Sequence, residues 1–492
     1  MTTSPIIVTG GRFGLGARLD ELDAAAALLA REAAALAEES ARLLALAVHP
    51  ALLGAEAAAT VAAVEHGALG DLARIVGLVA DVEQGLVRVA GPGGGIAESG
   101  SLLALAGAVG GAVAAYRAAE AGASAAVRTG QAQVDLAVGA ALPVLTAVAL
   151  LAPDGRSGAS DWLDEAVREQ PWLVDAAVGG ADELLRSVTT GGAGLALATT
   201  WVVAGRPWPA DAEGALALAR ALAARGGYLG ESGRPPDVAL EPARTVTAPR
   251  GVADLARDEV DLGRDDDPGR LAVVHVRHAD GSSAWVVELP GTQTWAPMAG
   301  DNPFDATTDV LAMLRLHGDV TAAAGTALDE AMRRAGRQGA DDPVLLVGHS
   351  QGGIIAAQLA ADPEFTRTHN VTHVVTMGSP VARMPLPSGI RVLSLEHDVD
   401  PVPRLDGRPN PDTASWTTVT RDVADLVPAA TAAHDCRLYT ATAELVDRSA
   451  AAGTDPSLAD WAASAAPFLG AGAGAEVTAV HVRRSGKQAP AY

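Results

Sequence analysis

"VLLVGHSQGGIIAAQLA", residues 344–360, is the stretch from which the rest of the chain can be read. Val344 to Val347 reads as a short buried strand. Gly348-His349-Ser350-Gln351-Gly352-Gly353 reads as a tight turn, and Ile354 to Ala361 as an apolar helix. A serine between small residues at a strand-to-helix turn is the pattern of a nucleophile elbow. Such a turn holds the serine in a strained backbone conformation, so that its hydroxyl stands clear at the carboxyl edge of a sheet. Gly348 and Gly352 let neighbouring backbone approach closely. The helix N-terminus beyond offers free N–H groups and the positive end of a dipole, which suit a developing oxyanion. The N–H of Gln351 is the expected first donor.

Outward from the elbow, strands alternate with helices. "LAVVHVRH" (271–278) and "SAWVVELPG" (283–291) flank Ala279-Asp280-Gly281-Ser282, whose Asp-Gly pair reads as a hairpin turn. Val371 to Thr376 and Arg391 to Leu395 are further short apolar strands, and Val320 to Arg337 reads as helix. This alternation predicts a mostly parallel central sheet with helices on both faces, and the hairpin as an antiparallel edge.

A serine becomes a nucleophile only with a base, and the base needs an orienting carboxylate. In this architecture the chain order is serine, acid, histidine. Two histidines lie far enough downstream. His481 sits in the alternating, strand-like "EVTAVHVRR" and reads as structural. His434, in a loop opening a helix, is the expected base. For the acid, "RVLSLEHDVDPVPRLDG" places Glu396, Asp398 and Asp400 at or just past a strand end, and position alone leaves Asp398 and Asp400 tied. Gly291-Thr292 follows an earlier strand, so Thr292 is the expected second oxyanion donor, through its N–H and its hydroxyl. Trp295, Met298 and Phe304 in the following loop suit a lid or contacts with an acyl chain.

Four stretches in one order resemble the class 3 lipases among the α/β-hydrolases: "VVELPGTQTW", "VLLVGHSQGG", "HVVTMGSPVA" and "DPVPRL". The resemblance covers roughly Leu271 to Thr442. It implies the α/β-hydrolase fold and makes Asp400 the triad acid, with Ser350 and His434. It also implies Thr292 and Gln351 as the oxyanion hole, an ester or lipid substrate, and acyl transfer without metal or organic cofactor. The family often carries an arginine before the oxyanion-loop glycine, where this chain has Pro290.

The first half has a helical period. Leu22, Leu29, Leu36 and Leu43 recur every seven residues, with Ala26, Ala33 and Ser40 between them. His49-Pro50 breaks this run. A second seam follows to Val89, and "GPGGG" (91–95) closes it. These features predict an Ala-rich, all-α domain over 1–235, with a long hairpin at about 17–90, further helices to about 205 and a linker at about 206–240. The hydrolase domain is then 241–492. Leu52-Leu53-Gly54 in the hairpin turn, and Tyr116 with Glu120, resemble the WXG/LXG-type substrates of type VII secretion and their export signal. That resemblance implies leaderless export to the cell surface or beyond, with secretion machinery or a helical partner docking on the hairpin. The alternative is a cytoplasmic helical domain. A catalytically inactive scaffold that binds partners is the alternative for the whole chain.

Composition narrows the classes further. A net charge of −23 argues against nucleic-acid binding, which needs a basic footprint. The single Cys436 precludes an intrachain disulfide and a cysteine-based zinc site. Leu136 to Ala152 is uncharged and apolar at the lower limit for spanning a bilayer, and reads as a buried helix interrupted by Pro143. Contact with a membrane surface through this stretch or through Gly194 to Ala204 is the other reading.

Overall fold

The computed structural model describes residues 6–47, 69–122 and 229–485, apart from short gaps at 232, 265, 296–297, 339–340 and 471–473, and a few helical residues between 216 and 224. The chain divides into two compact units: Arg18–Val127, and Met1–Ala17 with Arg128–Tyr492.

The helical unit contains the helices Leu15–Ala47 and Leu69–Ala90 and a third over residues 95–122. The connection of the expected hairpin, with Leu52-Leu53-Gly54, lies outside the described residues, as do 136–152 and 194–204. On the part of the first helix that belongs to this unit the buried positions are the small ones, Ala26, Ala33 and Ser40, while Leu22 is exposed. The reason is close helix approach. A Cβ on Gly95 would stand 2.1 Å from Ser40 Oγ, so the third helix starts against the end of the first. At the opposite end Arg117 bonds to Asp20 (2.7 Å) and Asp23. The first and third helices thus pack antiparallel along a seam of small residues that leucines would hold apart. Val76–Gly122 is long and apolar enough to cross a membrane by length and composition, and the turn at 91–94 divides it.

The other unit is built on one sheet. Its strands are β1 (Ile6–Gly10), β2 (Asp237–Leu240), β3 (Arg244–Thr247), β4 (Arg270–Arg277), β5 (Ser283–Leu289), β6 (Pro343–His349), β7 (Asn370–Met377), β8 (Arg391–His397), β9 (Trp416–Arg421) and β10 (Gly474–Arg483). Their order is β1-β9-β8-β7-β6-β5-β4-β10-β2, and β3 also pairs with β10. The central strands β5 to β9 run parallel. The remaining pairings are antiparallel, so the sheet is mixed. Alternation along each strand feeds two cores. In β6, Val344 and Leu346 join the core under the helices Asp319–Arg334 and Gln351–Ala361. Leu345 and Val347 join the core under Val252–Leu262, Cys436–Ala452 and Pro456–Ser464.

Three expectations change. Residues 6–10 belong to the sheet and not to a helical domain, because "IIVTG" is β-branched and short and finds the free edge of β9. Residues 237–240, inside the expected linker, form β2. The hairpin β4–β5 is not an edge, since β10 and β2 extend the sheet beyond it. His481 lies in β10 and bonds to Glu241 (3.0 Å), a structural role.

Strand β1 shields an edge that is otherwise a row of unpaired backbone groups. Removing residues 1–10 should lower the melting temperature and cause self-association, measurable by calorimetry and light scattering. An unchanged melting temperature and particle size would show that β1 adds no protection.

Candidate active site

The elbow forms as its residue types demand. Ser350 has φ 53° and ψ −119°, one of only three positive-φ residues other than glycine among those described. For a residue with a side chain this is strained. Surrounding contacts hold it: the Ser350 N–H donates to Met377 C=O (2.8 Å), and its own C=O accepts from the N–H groups of Gly353 and Ile354. A Cβ on Gly352 would lie 1.7 Å from Leu289 O, and one on Gly348 2.1 Å from the Gly352 carbonyl carbon. Both glycines are therefore required by close backbone approach.

Three segments at the carboxyl edge of the parallel strands bring the expected residues together. Ser350 follows β6, Asp400 follows β8, and His434 ends a short 3₁₀ turn, Ala430–His434, between β9 and the helix Cys436–Ala452. His434 Nε2 is 2.9 Å from Ser350 Oγ, and its Nδ1 is 2.7 Å from Asp400 Oδ2. Asp400 is fully buried. Burial pushes its carboxyl up, but the bonds and charge of His434, with donation from the Val402 N–H and Tyr439 O–H, outweigh this and hold it below its usual range. Asp398 accepts instead from the Val423 N–H (3.1 Å), and Glu396 from Asn410 (2.6 Å). The tie between the aspartates is thereby broken in space: of these three acids, Asp400 bonds His434.

Two histidines, the half-buried His349 and the buried His397, hold the backbone beside His434. Burial lowers His349 to about 3 and His397 to about 4, so both are neutral at physiological pH. His349 Nε2–H donates to His434 C=O (3.0 Å), and His397 Nδ1–H to Ala433 C=O (2.7 Å). The carbonyl acceptors fix the tautomers. Tyr439 stacks on His397, 3.8 Å between ring centroids.

Thr292 and Gln351 meet at one carboxylate. The Thr292 hydroxyl donates to Asp309 (3.0 Å), and so does Gln351 Nε2 (2.9 Å). The expectation that the Thr292 hydroxyl is itself a free donor is therefore corrected, since its one proton is directed at Asp309. Its backbone N–H has no acceptor among the described residues, and the Gln351 N–H opens its helix with no intrahelical acceptor. Phe304 is also corrected: it is fully buried in the core and is no lid residue. Trp295 and Met298 are exposed, at 73% and 57%. A cavity of about 260 Å³ touches Glu259, Thr292, Gln293, His349, His434 and Arg437. Among the described residues no group of three or more His, Cys, Asp or Glu side chains could hold a metal ion.

Residues 313–449 match the family model described as the PGAP1-like alpha/beta domain. This part of the chain has the α/β-hydrolase fold. The match spans Ser350, Asp400, His434 and Tyr439, and leaves Thr292 and Asp309 outside it. No curated protein and no solved structure matches the chain. Within this hydrolase domain the sequence pattern does not single out Asp309, Tyr439, His349 or His397 as partners of the site. Their contacts span 17 to 85 positions, although His349 stands inside the elbow motif itself.

Asp309 has a measurable signature. Burial, opposed by its bonds to Gln351 and Thr292 and aided by the charge of Asp305, raises its carboxyl to about 6. In the unfolded chain such a group titrates near ~3.9. Between these values the folded chain holds the extra proton, so this group's contribution to stability falls as pH rises through about 4 to 6. Asp309→Asn should therefore raise the melting temperature at pH 8 and leave it unchanged below about pH 4. No gain at pH 8 would show that this carboxylate carries no such burden.

Proposed function

We propose that this protein is a serine hydrolase that cleaves carboxylic esters through an acyl-serine intermediate. The observation that carries this reading is the continuous relay from Ser350 Oγ through His434 to the buried Asp400, with the serine at φ 53°. The match to an α/β-hydrolase family supports it.

In this reading His434 Nε2 takes the Ser350 proton as Oγ attacks the ester carbonyl. Asp400 orients the imidazole and stabilises its charged form. The N–H groups of Gln351 and Thr292 receive the oxyanion of the tetrahedral intermediate. Each such donor is worth on the order of a hundred- to a thousandfold in rate. His434 then protonates the leaving alcohol, the acyl-serine remains, and water activated by His434 releases the acid. Trp295 and Met298 stand exposed just beyond the oxyanion loop, where an acyl chain would meet them, which favours a lipid ester.

Hydrolysis of p-nitrophenyl esters by the full chain tests this directly. Ser350→Ala and Asp400→Ala should each cut kcat/KM by about three orders of magnitude or more, and Asp398→Ala should change it little. Wild-type protein inert on every ester, lipid emulsions included, would overturn the reading and leave the scaffold alternative.

For the helical unit, delivery or export is the reading the surface supports. Tyr116 and Glu120 lie exposed on the helix over 95–122, and the Val76–Gly122 stretch is mostly exposed as well as apolar. Full-length protein should float with phospholipid vesicles if this unit seeks a membrane. Protein that stays at the bottom of the gradient would favour the export role, which a Tyr116→Ala reporter fusion measures.

A further inference from the structure

The geometry points to Arg484, one residue beyond β10, as a positioning residue for the oxyanion hole. This inference rests on the acyl-transfer reading above. It concerns what holds the two oxyanion donors at a fixed separation, since they come from different loops with no direct bond between their backbones.

Both loops are anchored on the same three residues, 304–306. The oxyanion loop is tied there by backbone. Phe304 C=O accepts from the N–H groups of Gln293 (2.8 Å) and Thr294 (3.2 Å), and the Ala306 N–H donates to Thr294 C=O (3.2 Å). Gln351 is tied there by its side chain, since Nε2 donates to Asp305 C=O (2.8 Å). The helix Ala306–Met313 then begins, capped by the Asp305 carboxylate on the Thr308 N–H (3.1 Å), and one turn on presents Asp309 to Thr292 and Gln351 together. Displacement of Asp305 would move both donors.

Arg484 is what fixes Asp305. The guanidinium fork takes both carboxylate oxygens, Nη2 at 3.0 Å from Oδ1 and Nη1 on Oδ2. Nη1 also donates to the carbonyls of Gly300 (3.3 Å) and Asn302 (3.4 Å), and the Arg484 N–H to Asp301 C=O (2.9 Å). Nε donates to Asp319 (2.9 Å), and Glu231 lies 3.6 Å from Nη2. Asp305 is fully buried and the Arg484 side chain 6% exposed. A planar fork holding a carboxylate at two points sets its orientation as well as its place, which a lysine's single point charge does not do. One arginine facing three acids is also a poor device for stability alone, because buried ion pairs often fail to repay their desolvation.

Arg484→Lys tests the fork while keeping the charge, and Asp305→Asn tests the acceptor while keeping the backbone anchor. Turnover of p-nitrophenyl butyrate should be expressed per active serine, counted by titration with a fluorophosphonate. Both variants should lose about tenfold in kcat per titrated site with KM within twofold, since only interactions made in the transition state are weakened. Affinity for a boronic acid that mimics the tetrahedral intermediate should fall in parallel. If instead fewer sites titrate and each turns over at the wild-type rate, Arg484 is structural and the inference fails alone. Wild-type protein that titrates no serine and cleaves no ester would remove the acyl-transfer reading and this inference with it.

Discussion

A serine held at φ 53° is the constraint on which the hydrolase unit turns. Such a conformation costs on the order of 1–3 kcal/mol and persists only where neighbours over-determine it. Here the neighbours are backbone. β5 runs so close to the elbow that a single methyl on Gly352 would overlap the Leu289 carbonyl. That closeness requires β5 and β6 to be adjacent and parallel, which in turn places the loop after β5, with Thr292, beside the turn after β6. The helix that follows the serine is apolar on nearly every side because it lies buried between the sheet and the helices Ala306–Met313 and Asp319–Arg334. One strained residue thus connects strand order, glycine placement and the approach of the two donor loops.

Around that point the charges are arranged with opposite outcomes. Asp400, fully buried, keeps its charge because three donors converge on it and one of them, His434, brings charge. Asp309 and Glu396 are raised by the same burial, to about 6 and about 7, because fewer donors reach them. His349 and His397 are driven the other way and become fixed neutral donors to carbonyl groups. Burial pushes every one of these groups toward its neutral form, and the donors and charges aimed at each set how far it goes.

The motif around Ser350 was legible because its chemistry is local. Residue size, strand apolarity and helix onset all lie within one short stretch. His434 and the cluster of acids after β8 were legible from chain order, while the choice of Asp400 over Asp398 needed either a family pattern or coordinates. Asp309, Tyr439 and Arg484 were not legible, because nothing near them in sequence marks the residues they touch. Phe304 was misread for a related reason: a large apolar residue in a Gly- and Pro-containing loop looks exposed until the fold turns that loop inward. In the helical unit the leucine heptads stood out, yet the alanines and the serine between them make the seam, because small residues allow helices to approach most closely.

Strand β1 gives the chain an unusual connectivity. Residues 6–10 pair along β9 at positions 417–421, and residues 18–127 form a separate compact unit before the chain supplies the other nine strands of the sheet. The helical unit is therefore an insertion into the hydrolase and not an appendage ahead of it. A single proteolytic cut between the two units after residue 127 would not release a free hydrolase. The fragment carrying the helices would keep a strand of the sheet, and the two pieces would be held by backbone hydrogen bonds as a split protein, each carrying what the other lacks.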